Sequence, residues 1–464
     1  MLSTKATEIF TEPSCDHNQA KGGEERKKGC PKARPGLAAG GCAFDGAMIT
    51  LVPVADVAHL VHGPSACLGN SWEGRGSLSS GPDLFRYGFT TDLSVEDIVL
   101  GAEKKLQLAI LEVVARQRPA AVFVYVTCVP ALTGEDVEAV CRSAMDTCGV
   151  PVIPVVSPGF LGSKNLGNRL AGEALLRHVI GTGEPSATTP WDIGLIGEYN
   201  IGGELWNVLP LFELLGIRVL SRLTGDSRYR ELTWAHRVRV NMVVCGRALL
   251  SLARGMEERY GIPWFEGSFY GRRDIGEALR NTAKLLGDRR LLQRTETLVE
   301  AEEFRLEERL APYRENLAGK RAVLYTGGVK SWSVVSALQD LGLEVVAVGT
   351  NKSSEGDVER IRNLVRGDAT LIEEANPRRL LEAVRETGSH VLVAGGRNMY
   401  TALKGRVPFL DINQERHQAY AGYEGLVELA RRLVLTIHSP VWEKVCRPAP
   451  WDAAHGKEAG AWPK

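Results

Sequence analysis

Short continuous apolar runs alternate with amphipathic stretches over most of this chain. The runs are rich in Val, Ile and Leu and have the length of strands buried on both faces; the clearest occupy 120–128, 151–157 and 240–245. Between them, apolar residues at helical spacing predict helices at 94–116, 134–147 and 247–261. Such alternation of strands and helices is typical of an α/β fold with parallel sheets.

The alternation begins again twice, which predicts three α/β units after an aperiodic N-terminal arm. The predicted bounds are 1–40 for the arm and 41–185, 186–318 and 319–464 for the units, whose strand ends are expected to face a shared cleft. A Gly-, Thr- and Pro-rich linker at 181–190 lies near the first boundary. The charged segment 274–318 is predicted to be a solvated helix pair.

Charge and hydropathy narrow the classes of function. Lys plus Arg and Asp plus Glu each number 56, so the formal net charge is zero and the chain lacks the basic character of a nucleic-acid-binding protein. No apolar run approaches the roughly 20 residues needed to cross a bilayer, and the N-terminus lacks the apolar core of a signal peptide. We therefore expect a cytoplasmic protein without a membrane partner.

The stretch 41–92 carries the most distinctive chemistry. Its many glycines and few charges predict a covered loop system that encloses a cofactor. Cys42 follows a Gly-Gly pair, and Cys67 lies in the predicted turn Gly-Pro-Ser-Ala-Cys-Leu-Gly. Cys128 ends a predicted strand, at the sheet edge where α/β proteins place their ligands. Because cytoplasmic cysteines are mostly reduced, these three thiols together indicate a metal or cluster site.

Of the six other cysteines, Cys245 is the strongest candidate ligand. It ends a predicted strand and precedes a predicted helix, whose N-terminal dipole favours the thiolate that a metal requires. Cys15 and Cys30 lie in the arm and are either incidental thiols or, for Cys30, a ligand that the arm brings to a cluster. The last three are expected to be packed or idle thiols: Cys141, Cys148 and Cys446.

Two glycine pairs also follow predicted strands. Gly202 and Gly203 lack the full dinucleotide-binding fingerprint around them, which favours backbone packing over nucleotide binding. Gly327 and Gly328 precede Lys330, and this combination is compatible with either an anion site or a simple turn.

Four long segments resemble one protein family: GGCAFDGAMITLVPVADVAHLVHGPSACLGNSWEGRGS, VTCVPALTGEDVEAV, NMVVCGRALLSLARGMEERYGIPWFEGSFYG and VPFLDINQERHQAYAGYEG. They are similar to the nitrogenase component 1 family, and within it to the branch that matures the iron–molybdenum cofactor. The similarity extends over essentially the whole chain from about residue 30. It implies three Rossmann-like, doubly wound α/β domains around a central cleft, in a heterotetramer with a partner N subunit.

The resemblance also implies two metal sites. Cys42, Cys67 and Cys128 match the ligands of a 4Fe–4S cluster at the subunit interface, which a cysteine of the partner N subunit completes. Soft thiolates suit iron, and such a cluster takes four of them. Cys245 matches the thiolate that holds one end of the iron–molybdenum cofactor in nitrogenase.

The sequence departs from the nitrogenase α subunit at the other end of that cofactor. Asn413 stands where the enzyme has a histidine that anchors the molybdenum end, and nearby His417 is offset from this position. A cofactor held firmly at one end is easier to release. This departure therefore favours an assembly site.

Further departures concern the residues around the bound cofactor. Lys164 and Asn168 stand where nitrogenase has a glutamine and a histidine beside the substrate-binding face, and loss of that histidine removes a proton donor. Arg75 matches a cleft arginine and Lys330 replaces another. Both cations suit a polyanionic cluster, although surface charges that cap loops are the alternative.

The resemblance implies a non-catalytic maturation scaffold. It would receive an iron–sulfur precursor from a donor protein, hold it through Cys245 while molybdenum and homocitrate are inserted, and pass it to apo-nitrogenase component 1. The nitrogenase iron protein would deliver electrons and molybdenum.

Three other functions stay open. A nitrogenase catalytic α subunit needs the missing histidine, and a dark-operative protochlorophyllide reductase subunit has no use for Cys245. A metal-free nucleotide- or sugar-binding protein predicts that all four thiols are dispensable.

Overall fold

The structure is a computed structural model that describes residues 41–72, 77–81, 83–244, 246–351, 353–373, 375–413 and 417–447. The described residues form two compact units. The first extends to 269 and includes 274–300, and the second holds 270–273 with the residues from 301 onward. The predicted arm at 1–40 lies outside the described residues.

Helices and strands alternate through the first part of the chain, as predicted. In chain order they are α1 (Ala43–Leu51), β1 (Ala58–His62), α2 (Ser65–Trp72), β2 (Gly88–Thr90), α3 (Val95–Leu100), α4 (Glu103–Gln117), β3 (Val122–Val126), α5 (Cys128–Thr133), α6 (Val137–Cys148), β4 (Val152–Val156) and α7 (Lys164–His178). The strands are parallel and ordered β2–β1–β3–β4. The chain winds outward in both directions from β1, so the β1–β3 edge is the switch point of a doubly wound sheet.

The second sheet repeats this plan within the same compact unit. Its elements are β5 (Asp192–Ile196), α8 (Glu204–Leu215), β6 (Arg218–Leu223), α9 (Tyr229–Thr233), β7 (Val240–Val243), α10 (Gly246–Tyr260) and β8 (Trp264–Glu266). The parallel order β6–β5–β7–β8 puts the switch point between β5 and β7. Two helices follow, α11 (Arg272–Leu286) and α12 (Arg289–Leu317), where the sequence predicts a helix pair.

The second compact unit contains a five-stranded parallel sheet in the order β11–β10–β9–β12–β13. Its elements are β9 (Arg321–Tyr325), α13 (Val329–Asp340), β10 (Glu344–Gly349), α14 (Glu355–Leu364), β11 (Thr370–Ile372), α15 (Pro377–Thr387), β12 (Val391–Ala394), α16 (Met399–Gly405), β13 (Phe409–Asp411), α17 (Gly422–Ile437) and α18 (Val441–Cys446). The predicted α/β class with parallel, doubly wound sheets is therefore confirmed. The three-domain division stays a prediction.

Both faces of the first sheet are buried, which explains its continuous apolar runs. Phe123 and Tyr125 belong to one apolar core together with residues of α1 and α7. Val122 and Val124 point the other way, into a core with residues of α4 and α6. In the described part of the chain, no helix is long and apolar enough to span a membrane.

Two predictions about the first sheet are wrong. The segment 94–116 forms two helices, α3 and α4, because Gly101 between them adopts a φ of +89°, which no continuous helix accommodates. The described part of the stretch 41–92 contains the regular elements α1, β1 and α2; α1 and β1 are buried, but several residues of α2 are exposed. Every residue of α1 is buried, so its low charge reflects a core helix.

Helices α1 and α7 pack unusually close together, and glycines allow it. A Cβ atom at Gly46 would lie 1.9 Å from the carbonyl oxygen of Lys164. A Cβ atom at Gly167 would lie 1.8 Å from the carbonyl oxygen of Ala43. The two backbones therefore touch near the start of both helices.

This contact predicts that Gly46→Ala destabilises the protein by about 1–3 kcal/mol, because the new methyl group overlaps backbone. The matched control is Gly356→Ala in α14, where a Cβ meets no atom within 4 Å. That change is expected to be neutral or stabilising by about 0.5–1 kcal/mol. Urea unfolding of both variants measures the difference, and equal effects would contradict the packing argument.

His59 in β1 is a fully buried titratable group. Its Nδ1 lies 2.8 Å from the Tyr125 hydroxyl, and its ring stacks against Phe123 and Tyr125. Burial lowers the pKa of His59 from 6.5 to about 3. The folded protein therefore keeps this imidazole neutral at pH values where the unfolded chain protonates it.

Between these two pKa values the unfolded chain binds one more proton at His59 than the folded protein does. The free energy of unfolding therefore falls as the pH drops from 6.5 towards 3. The loss due to His59 is expected to approach about 1.4 kcal/mol per pH unit. His59→Gln keeps a partner for Tyr125 and does not titrate, so its stability should depend less on pH. Denaturant midpoints at pH 7 and pH 5 measure this, and parallel losses in both proteins would refute the assignment.

Candidate metal centre

Two of the predicted ligands follow neighbouring strands at the switch point of the first sheet. Cys67 lies in the first turn of α2, directly after β1, and Cys128 is the first residue of α5, directly after β3. Because β1 and β3 are parallel neighbours, their carboxyl ends bring α2 and α5 to the same edge.

Two local predictions for these cysteines need correction. The predicted turn around Cys67 is a helix, in which the Cys67 N–H donates to the Pro64 carbonyl at 3.0 Å. The strand predicted to reach Cys128 ends at Val126, because Thr127 turns the chain into α5. Neither change moves the thiols away from the sheet edge.

Gly159 brings a third thiol to the same place. It follows β4, and a Cβ atom there would lie 3.1 Å from Cys42 Sγ and 3.2 Å from Cys128 Sγ. The two sulfur atoms thus flank one glycine, whose missing side chain leaves room for them. Gly159 was not predicted from the sequence, where its only signal is the Pro-Gly pair after a strand.

Cys42 is held by backbone contacts with the segment after Gly159. It forms an isolated antiparallel bridge with Ser163, and the Lys164 N–H donates to the Gly41 carbonyl at 3.1 Å. These bonds lie at the end of the close contact between α1 and α7. The same helix packing therefore sets the position of Cys42.

The three thiols also interact electrostatically. Burial raises the pKa of the Cys67 thiol, and the neighbouring Cys128 and Cys42 raise it further. A bound metal favours thiolates, because its positive charge offsets both the desolvation and the mutual repulsion. The Cys67 thiol therefore ionises more readily when a metal group is bound.

The donor set consists of three cysteine thiols, the ligand type that iron–sulfur clusters take. Among the described residues, no three or more His, Cys, Asp and Glu side chains are grouped to hold one metal ion. In a 4Fe–4S cluster each thiolate binds a different iron, so its ligands lie further apart than the ligands of one ion. Cys42, Cys67 and Cys128 can supply three of four such thiolates, and they are all free cysteines.

Asn168 and Lys164 lie on α7, near this site. Asn168 is buried, and in the orientation that satisfies its amide the nitrogen donates to the carbonyls of Gly46 and Lys164, each at 2.9 Å. Lys164 is half-buried and begins the helix. These contacts give Asn168 a role in joining α1 to α7, and the cofactor-binding role of both residues stays a prediction.

Lys330 and Asn413 come together in the second compact unit. Lys330 Nζ donates to the Ile412 carbonyl at 3.3 Å and lies 5.1 Å from the centre of the Tyr270 ring. The Asn413 side chain accepts a hydrogen bond from Thr326 at 3.1 Å. Both residues therefore lie at the carboxyl edge of the third sheet, where β9 and β13 end, and their cofactor-binding role stays a prediction.

Of the remaining predicted site residues, only His417 lies among the described residues. His417 is exposed. Arg75, Cys245 and Cys30 lie outside the described residues, although β7 ends at Val243 and α10 begins at Gly246 on either side of Cys245.

The cysteines predicted to be packed or idle lie away from the three-thiol site. Cys141 is buried in the core beside α4, and burial raises its pKa to about 12. Cys148 Sγ lies 3.8 Å from the Val150 carbonyl oxygen, and Cys446 is exposed.

Comparison with known proteins identifies the family. The chain belongs to the nitrogenase component 1 type oxidoreductases, whose family model matches residues 42–438. Its fold is that of the solved structure of nitrogenase Cp1 at pH 6.5, with a TM-score of 0.81 and 29% identity over 90% of this chain and 92% of that one.

Relatives with higher sequence identity than nitrogenase Cp1 carry the name nitrogenase iron-molybdenum cofactor biosynthesis protein NifE. The relative from Nostoc sp. is 59% identical over 453 residues, which cover 97% of this chain and 94% of the relative. The relative from Klebsiella pneumoniae is 54% identical over 97% of this chain and 100% of its own length. The family resemblance inferred from the sequence is confirmed.

The contact of Gly159 with two sulfur atoms predicts that Gly159→Ala weakens the cluster site, since a methyl group there would press on both sulfur atoms and shift them by a few tenths of an ångström. The control Gly69→Ala lies on the helix of Cys67, where a Cβ meets no atom within 4 Å. Iron per protein after anaerobic purification is expected to fall several-fold for Gly159→Ala only, in line with other changes around metal ligands. Full iron content in Gly159→Ala would show that the sulfur atoms do not flank this glycine in the loaded protein.

Proposed function

We propose that this chain is a scaffold on which the iron–molybdenum cofactor of nitrogenase is matured. The observation that carries the proposal is the convergence of Cys42, Cys67 and Cys128 around one sheet edge. The family and the name of the similar relatives support the same function.

The three thiolates are proposed to hold a 4Fe–4S cluster at an interface with a partner N subunit. Three cysteines leave one iron without a ligand from this site, and a cysteine of the partner supplies the fourth thiolate. When bound, such a cluster supplies one-electron transfer. The chain itself contributes the spacing of the thiols and their partial burial, which together select a soft, positively charged metal group.

The cargo is proposed to be an iron–sulfur precursor held by Cys245. A donor protein delivers this precursor, molybdenum and homocitrate are added while it is bound, and apo-nitrogenase component 1 receives the product. The nitrogenase iron protein is the proposed source of electrons and molybdenum. The sequence position of Cys245, between β7 and α10, supports this role, because a helix N-terminus favours a thiolate.

Asn168 favours a scaffold over a nitrogen-reducing enzyme. Its side chain is an amide, which exchanges no proton near neutral pH, and its hydrogen bonds go to the carbonyls of Gly46 and Lys164. A catalytic α subunit needs a proton donor at this position by family resemblance. We therefore propose that the chain does not catalyse nitrogen reduction.

The two proposed sites predict separable effects of cysteine substitution. Cys245→Ala should lose the cargo and its transfer to apo-nitrogenase but keep the interface cluster. Cys67→Ala should deplete the interface cluster and spare part of the cargo, while Cys148→Ala, which removes a thiol outside both sites, should match the wild type. Iron content, electron paramagnetic resonance (EPR) spectra and reactivation of apo-nitrogenase measure these effects.

Two outcomes would overturn the scaffold proposal. One is efficient reduction of nitrogen by the purified protein with the iron protein. The other is undiminished transfer of cargo by Cys245→Ala.

A further inference from the structure

A buried histidine–carboxylate pair lies beside the three-thiol site and has no role in the proposal so far. His62 ends β1, and its side chain is fully buried, with Nε2 2.8 Å from Oε2 of Glu135. The Glu135 side chain is only 5% exposed. Nδ1 of His62 lies 3.0 Å from the Thr91 hydroxyl, so both ring nitrogens have partners.

The hydrogen bonds of this group are complete when the imidazole is neutral. Nε2–H then donates to the Glu135 carboxylate, and Nδ1 accepts from the Thr91 hydroxyl. The Thr91 oxygen in turn accepts from the Gly63 N–H at 3.2 Å. Burial lowers the pKa of His62 and so favours this neutral form, although Glu135 opposes the shift.

His62 contacts both ends of the short helix that begins with Cys128. At the start of α5, the Thr127 hydroxyl donates to the His62 carbonyl at 2.8 Å. Just past its end, Glu135 accepts from the His62 imidazole. Gly63 allows the Thr127 side chain to pack against the backbone after β1, since a Cβ at Gly63 would lie 2.0 Å from the Thr127 hydroxyl oxygen.

The same residue also leads directly into the segment that carries Cys67. Only Gly63 and Pro64 separate it from α2. Hydrogen bonds between His62 and the side chains of Thr127 and Glu135 therefore join the chain segment of Cys67 to that of Cys128.

We propose that His62 is a positioning residue, which together with Glu135 and Thr127 fixes the helix of Cys128 relative to the segment of Cys67 and so sets the spacing of these two cluster ligands. This inference rests on the proposed function, because it needs a cluster to position. Partners of this type orient metal ligands in other proteins, and their loss typically weakens metal retention about 10–100-fold.

The test uses the full chain purified anaerobically with its partner N subunit and without the precursor donor, so that the iron measured belongs to the interface site. Glu135→Ala removes the bond at the end of α5, and Glu135→Gln keeps an acceptor for the imidazole. The control is Glu112→Ala on α4, whose side chain is 60% exposed. The measurements are the rate of iron loss to a chelator and the EPR spectrum of the dithionite-reduced protein.

Glu135→Ala is expected to lose iron about tenfold faster than the wild type and to change the EPR line shape. Glu135→Gln should restore both properties, and Glu112→Ala should match the wild type. A role in folding alone would not change the spectrum of the protein that remains loaded. If Glu135→Ala fails to fold, Thr127→Val and Thr127→Ser make the same comparison at the start of α5, with faster loss expected only for valine.

The proposal is overturned if the alanine or valine variant retains iron like the wild type and gives the same spectrum. Failure of the glutamine or serine variant to restore retention would also contradict it, because the hydrogen bond would not be the cause. A wild-type protein without iron would overturn the proposed function and this inference together. A loaded wild type with unaffected variants would overturn only the positioning role.

Discussion

The candidate metal centre depends on bringing Cys42, Cys67 and Cys128 to one sheet edge, where burial and the two neighbouring thiols raise the pKa of Cys67. Ionisation of the Cys67 thiol in this setting therefore needs a compensating positive charge. Regular elements place the thiols, since Cys42 caps α1, Cys67 lies in α2 and Cys128 begins α5. Cys67 and Cys128 follow adjacent strands of a doubly wound sheet, and Cys42 is fixed by the contact of α1 with α7. A metal group that takes soft ligands supplies the positive charge, so the fold and the proposed chemistry require the same arrangement.

The carboxyl edge of parallel strands recurs as the place where candidate residues lie. In the second sheet, the switch point lies between β5 and β7, and Cys245 comes two residues after β7 in the sequence. In the third, Lys330 and Asn413 meet where β9 and β13 end. Each sheet thus offers one edge suited to a ligand. The residues predicted at these edges differ in chemistry: three thiols in the first unit, one thiol in the second and a lysine with an amide in the third.

Much of the fold was predictable because parallel strands buried on both faces leave continuous apolar runs, as in Val122–Val126. Helix breaks were harder to predict: Gly101 interrupts a regular amphipathic pattern through its backbone conformation alone. The three thiols were predictable from residue type and from position after glycines and strands. Gly159 and His62 were not predicted from the sequence, and the hydrogen bonds by which Asn168 joins α1 to α7 were not either, because these roles depend on contacts between segments distant in sequence.

The central claim is that Cys42, Cys67 and Cys128 share a 4Fe–4S cluster with a partner subunit. The most direct measurement is the iron content and reduced-state EPR spectrum of the chain purified anaerobically with its N subunit and free of cargo. The account predicts a brown complex with about four irons per subunit pair and a signal from a single reduced cluster. A colourless, iron-free complex would contradict it.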